Sequence, residues 1–208
     1  MKNVVMGLIV GCLIGGIATA LVIKSRVHWL AALEFETDRP DVPFSVLEII
    51  QDAERQSYAQ RSFFRRGVEE MQDAIVFLSP EIGYRTNFSL GRYRIKAATL
   101  ETILPWAIEQ GYLTLNDTTQ TEFAHALAYF SEQPGLNDWQ ASVYLEWLRR
   151  DHPMLVDLTW PDIAADPLLI AKLYSGYMGA GGAWEQWRAD LTPGPVALRR
   201  LGLADNGN

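Results

Sequence analysis

Hydrophobic and polar residues fall into two regimes along the chain. From Val4 to Ile23 no charged side chain occurs (VVMGLIVGCLIGGIATALVI); as a helix, this run covers about 30 Å, the thickness of bilayer hydrocarbon. Lys2 precedes it, Lys24 and Arg26 follow, and Trp29 stands where an interfacial aromatic is placed. The exit, Leu21-Val22-Ile23-Lys24, lacks the small residues of a cleavage site, so the run reads as an uncleaved, single-pass anchor over residues 1–27. Ile9-Val10-Gly11-Cys12 loosely matches a lipobox, but the apolar run continues well past Cys12. Gly7, Gly11 and Gly15 recur every fourth residue, a spacing that lets two anchor helices approach closely and self-associate. Cations flank both ends, so the positive-inside rule gives no orientation.

Residues 28–44 are polar and broken by Pro40 and Pro43, and read as a linker to a domain over residues 45–208. There the apolar period is helical. Val68, Met71, Ile75 and Leu78 recur at three to four residues, as do Leu100, Ile103, Leu104, Ala107 and Ile108, then Phe123, Ala126, Leu127 and Phe130, then Trp139, Val143 and Trp147. Local chemistry marks the ends: Thr119 and Glu122 form a capping box, Asp166 precedes Pro167 as N-cap, and Gly111 suits a left-handed helix stop. The only strand signal is a short piece around Arg92 to Ile95. The expected fold is mainly α: an N-terminal transmembrane helix followed by a helical domain.

Composition narrows the function. A net charge of -7 over 208 residues excludes a binder that works by neutralising nucleic-acid phosphates. A single cysteine, Cys12, excludes thiolate zinc sites and internal disulfides, and His28, His125 and His152 show no metal-ligand spacing, so no metal and no cofactor is expected. No serine carries nucleophile-elbow glycines beside Asp151, His152 and Asp157, which disfavours a serine hydrolase.

Three stretches mix glycine, aromatic and polar residues in a way that burial does not require: Ser79 to Gly91, Gly91 to Leu100, and Tyr174 to Trp187. In order along the chain they resemble the lysozyme-like lytic transglycosylases, which cleave the glycan strands of peptidoglycan. Glu81-Ile82-Gly83-Tyr84 looks like the family's catalytic E-S-G-F/Y; Ser89-Leu90-Gly91-Arg92-Tyr93-Arg94-Ile95-Lys96 with Thr99 looks like S-x-G-x-x-Q-I-K-x-x-T; Tyr177 to Trp187 is similar to Y-N-A-G-P-G-A-V-x-x-W. Ile82, Arg94 and Met178 stand where the family has Ser, Gln and Asn.

The resemblance implies a lysozyme-like domain with Glu81 as the single catalytic acid and base, and Ser89, Gly91, Arg94, Tyr177 and Trp184 lining the glycan groove. Such chemistry needs a carboxylic acid kept neutral by apolar surroundings, and Phe77, Leu78, Ile82 and Tyr84 are its neighbours in sequence. The opposing reading is that Ser79-Pro80-Glu81 is an ordinary helix start, with Glu81 in the first turn. Trp139 and Trp147 share one helical stripe and are expected in the core, whereas Trp184 and Trp187 flank the glycines. Two functions are carried forward: an enzyme anchored in the inner membrane through residues 4–23, with its domain outside the cytoplasm cleaving peptidoglycan, and a non-enzymatic anchored helical module that binds a protein partner or glycan.

Overall fold

A computed structural model describes residues 21, 25, 29, 32–87, 89, 90, 92–129, 134–179 and 195–203. The Val4 to Ile23 run therefore lies outside the described residues apart from Leu21. Among the described residues, no helix is long and apolar enough to cross a membrane.

The domain is mainly helical. In chain order it comprises β1 (Phe35–Thr37), α1 (Phe44–Ala59), α2 (Phe63–Leu78), α3 (Pro80–Arg85), β2 (Ser89–Leu90), β3 (Ile95–Lys96), α4 (Ala97–Glu109), β4 (Leu113–Leu115), α5 (Gln120–Tyr129), α6 (Pro134–Asp151), α7 (Trp160–Ala165), α8 (Pro167–Gly179) and α9 (Pro195–Arg200). Helix α6 is the axis. Ala141, Ser142, Val143, Tyr144, Leu145 and Glu146 are consecutive and all buried, the pattern of a helix surrounded by others rather than lying on a surface. Against it pack Val46, Leu47 and Ile50 of α1, Leu100, Ile103 and Leu104 of α4, and Ile170, Leu173 and Tyr174 of α8, all in one core. Each fully buried Leu or Ile contributes about 1.5–3 kcal/mol by leaving water.

The boundary chemistry operates as expected. The Thr119 amide donates to Glu122 Oε2 at 2.8 Å and the Glu122 amide donates back to Thr119 Oγ1 at 3.2 Å. Asp166 Oδ1 accepts from the Leu168 amide at 2.8 Å, and Gly111 adopts φ 77°. A second reciprocal box, Thr159 with Asp162, starts α7.

Part of the stretch read as linker belongs to the domain. β1 pairs antiparallel with β4, Phe35 opposite Leu115 and Thr37 opposite Leu113. The indole of buried Trp139 donates to the carbonyls of both Asp38 and Tyr112 at 3.0 Å, so one side chain of α6 holds both chains of this corner. At the other end of α6, Glu146 is buried and accepts from Arg149 (2.8 Å), Arg150 (2.6 Å) and the Trp160 indole (2.8 Å), tying α6 to α7.

Helix α2 stands apart. Its period is helical as expected, yet none of its side chains joins the core among the described residues. It packs on α3 and α5 instead.

Candidate functional site: a charged cavity under the β2–β3 hairpin

The β2–β3 hairpin pairs Ser89 with Lys96 and Leu90 with Ile95. Its turn is pinned from three sides. The Arg92 amide donates to Asn137 Oδ1 at 3.2 Å, the Tyr93 hydroxyl to Asp138 Oδ1 at 2.8 Å, and the buried Tyr177 hydroxyl of α8 to the Tyr93 carbonyl. On the hairpin's N-terminal side Asn87, at φ 54°, accepts from the Ala98 amide at 2.8 Å, satisfying the start of α4. Between these fixed points Arg94 takes φ 53°, a left-handed conformation that is costly for a residue with a Cβ.

That strained residue sends its guanidinium toward helix α2. Arg94 Nη2 lies 3.4 Å from Glu69 Oε2, and Nη1 lies 3.3 Å from Asp73 Oδ1. Glu69 is buried; Arg61 also pairs with it closely, and Arg65 approaches at 3.8 Å. The Asp73 carboxyl sits above its ordinary value: desolvation raises it, Arg94 lowers it, and the carboxylates of Glu69 and Glu70 raise it further.

A second buried carboxylate, Glu54 of α1, accepts from the Tyr174 hydroxyl at 2.6 Å and from Arg200 at 3.1 Å. Burial holds the Tyr177 phenol well above its ordinary value, with neighbouring Glu54 adding to the effect, so it stays neutral and serves as a hydrogen-bond donor.

Glu54, Glu69, Arg94 and Tyr177 line one cavity of about 350 Å³. Arg61, Arg65, Arg94, Lys96 and Arg200 bring five cations to its wall against the carboxylates Glu54 and Glu69, while Tyr144, Tyr177 and Met178 supply aromatic and thioether surface. The local excess is positive in a chain whose net charge is -7. Arg65 is the most open of the four arginines, with its side chain 69% exposed. Planar guanidiniums beside an aromatic floor suit a ligand that carries carboxylates or phosphates on a ring or short chain.

The expected site residues divide. Arg94 and Tyr177 come together in the cavity with Lys96, Thr99 and Met178, so the second patch meets the first two residues of the third. Ser89 is a β2 residue facing Lys96 in the ladder, while Gly91 and Trp184 lie outside the described residues. Glu81 is not in the cavity lining. It occupies the first turn of α3 after Ser79 and Pro80, with a side chain 55% exposed and an ion pair to Arg85 at 2.6 Å. Among the described residues no apolar enclosure of the kind expected of a general acid surrounds it: α3 is a short helix and Ile82 beside it is also exposed. Tyr84 turns inward instead: burial, with Glu101 nearby, pushes its phenol up to about 12, and its ring meets His125 edge-on at 5.2 Å. Trp139 is core, as expected, and Trp147 packs on the core beside Tyr144.

Sequence reasoning missed Glu54, Glu69, Arg61 and Arg200. One signal was present: Glu54 falls on the stripe Val46, Leu47, Ile50, Ala53, Ser57 that α1 buries, and an acid on an apolar stripe needs partners. Among the described residues no cluster of His, Cys, Asp and Glu could hold a metal ion. In comparison with known proteins, the chain matches no family model, no curated protein and no solved structure.

Proposed function

We propose that the chain is an anchored, lysozyme-like helical module that binds the anionic glycan and peptide strands of the cell wall in the cavity under the hairpin, without cleaving them. The anchor is residues 4–23 in the inner membrane, with the domain on the extracytoplasmic side. The observation that carries this reading is the state of the carboxylates. Of the two acids that line the cavity, Glu69 has both oxygens paired with guanidiniums and Glu54 shares its Oε1 between the Tyr174 phenol and Arg200, while Glu81 sits outside in a solvent-facing ion pair. A cavity with surplus cations and no unengaged carboxyl group is suited to holding an anion; it is poorly suited to giving a proton to a leaving oxygen.

The second reading is cleavage of the same strands. It is favoured by the meeting of Arg94, Lys96, Thr99 and Tyr177 at one cavity, which is what the motif resemblance leads one to expect of a glycan groove.

The full chain in detergent, incubated with purified peptidoglycan sacculi, separates the two. Binding without cleavage predicts co-sedimentation that Arg94→Gly reduces at least several-fold, and no soluble muropeptides. Failure to co-sediment rejects the binding reading. Release of muropeptides that is lost in Glu81→Gln establishes the enzyme instead.

A further inference from the structure

Helix α2 (Phe63–Leu78) repeats apolar residues at Phe64, Val68, Met71 and Ile75, a stripe on one face; among the described residues none of them joins the core, Val68 and Ile75 being half-buried and Phe64 and Met71 exposed. Phe63 and Phe64, in its first turn, are 87% and 81% exposed, and Met71, two turns on, is 58% exposed. Gly67 lies between them in open space; a Cβ there would meet nothing within 4 Å.

Cations surround the two phenylalanines: Arg61 before them, Arg65 and Arg66 after. The exposed acids of the same helix are engaged elsewhere, Glu70 accepting from the Tyr58 hydroxyl at 3.3 Å and Asp73 from Arg94. The helix thus presents aromatic rings flanked by guanidiniums at one end and keeps its carboxylates tied to the domain. Rings of this size enter the boundary between headgroups and acyl chains, and the guanidiniums beside them pair with lipid phosphates.

We propose that the N-terminal half of α2 is a membrane-surface contact, with Phe63, Phe64 and Met71 dipping into an anionic leaflet and the exposed Arg65 on its phosphates. The occupant is a bilayer rather than a protein for two reasons. The charge of the patch opposes that of anionic lipid, and the uncharged run Val4 to Ile23 ends only about ten residues before the Glu34 amide is fixed to Thr118 Oγ1. Ten residues reach at most about 35 Å, so on the anchored reading proposed above, on which this inference rests, the domain stays within reach of the leaflet it leaves. Because Glu69 and Asp73 on α2 hold Arg94, seating α2 on the surface also fixes the direction in which the cavity faces.

Site-directed spin labelling of the full chain tests this. In a Cys12→Ser background, Phe64→Cys carries the nitroxide, and the protein is reconstituted into phosphatidylcholine vesicles with or without phosphatidylglycerol. Phe63→Cys provides a second label position should the first disturb folding, checked by circular dichroism. The expected result is a several-fold higher ratio of oxygen to water-soluble nickel-chelate accessibility in phosphatidylglycerol vesicles, reversed by 1 M salt (a screening length of about 3 Å). A label open to the chelate in both vesicle types overturns the proposal. So does a label shielded from both relaxants, which places protein, from this chain or a second copy, over the patch.

Discussion

Arg94 combines a strained backbone with a guanidinium that two carboxylates share. These roles separate on substitution. Glycine adopts φ 53° freely whereas alanine does not, so Arg94→Gly should be more stable than Arg94→Ala by about 1 kcal/mol, read as urea midpoints at constant slope. Equal midpoints would mean the hairpin turn relaxes when the arginine is gone. Glu81 is the contrasting case. Its ion pair with Arg85 is exposed, and such pairs contribute between about 0 and 1 kcal/mol, so Glu81→Gln should leave the thermal midpoint nearly unchanged. A large loss would reveal a burial that the ion pair conceals.

At the scale of elements, the joint between α6 and α7 rests on Glu146. Desolvation pushes its carboxyl up, but hydrogen bonds from Arg149, Arg150 and the Trp160 indole outweigh this and hold it below its ordinary value. A carboxyl depressed by folding stabilises the fold above its unfolded value, near 4.3, and that contribution is lost as pH falls through the folded value. Glu146→Ala should cost about 3–5 kcal/mol at neutral pH, because two guanidiniums lose their counter-charge. In acid the gap between wild type and variant should close, as guanidinium denaturation at stepped pH will measure; a gap independent of pH would assign the loss to packing. What was legible at this scale followed range. Thr119 with Glu122, Asp166 before Pro167 and Gly111 act within a few residues, and the sequence reading located all three. β1 was not legible: it is three residues long, and its partner β4 lies about 78 residues further along the chain, Glu36 pairing with Thr114. For the same reason local motif resemblance drew attention to Glu81, whereas the carboxylates that reach the cavity, Glu54 and Glu69, are brought there by the packing of α1 and α2 against distant helices. The helix over residues 63–78 was visible in its period, but period alone does not tell a buried stripe from an uncovered one.

For the whole molecule, the proposed binding of cell-wall strands should be salt-dependent, because an acidic chain gathers five cations into one cavity. Raising ionic strength from about 0.05 to 0.5 M should weaken sacculus co-sedimentation several-fold, since charges partly open to solvent are screened over about 4–14 Å in that range. Salt-independent retention would point to the aromatic wall instead. The corner made by β1, β4 and the Trp139 indole has a mechanical consequence. Any pull transmitted along the residues that precede Glu34 is met first at Glu34, whose amide donates to Thr118 Oγ1 and whose carbonyl accepts from the Asn116 amide, and then by the ladder from Phe35 to Thr37 before the load reaches the indole clamp on Asp38. Glu34 and the leading strand are therefore the part that yields first under tension, and α6, with Trp139 anchored in the core, is the part that resists.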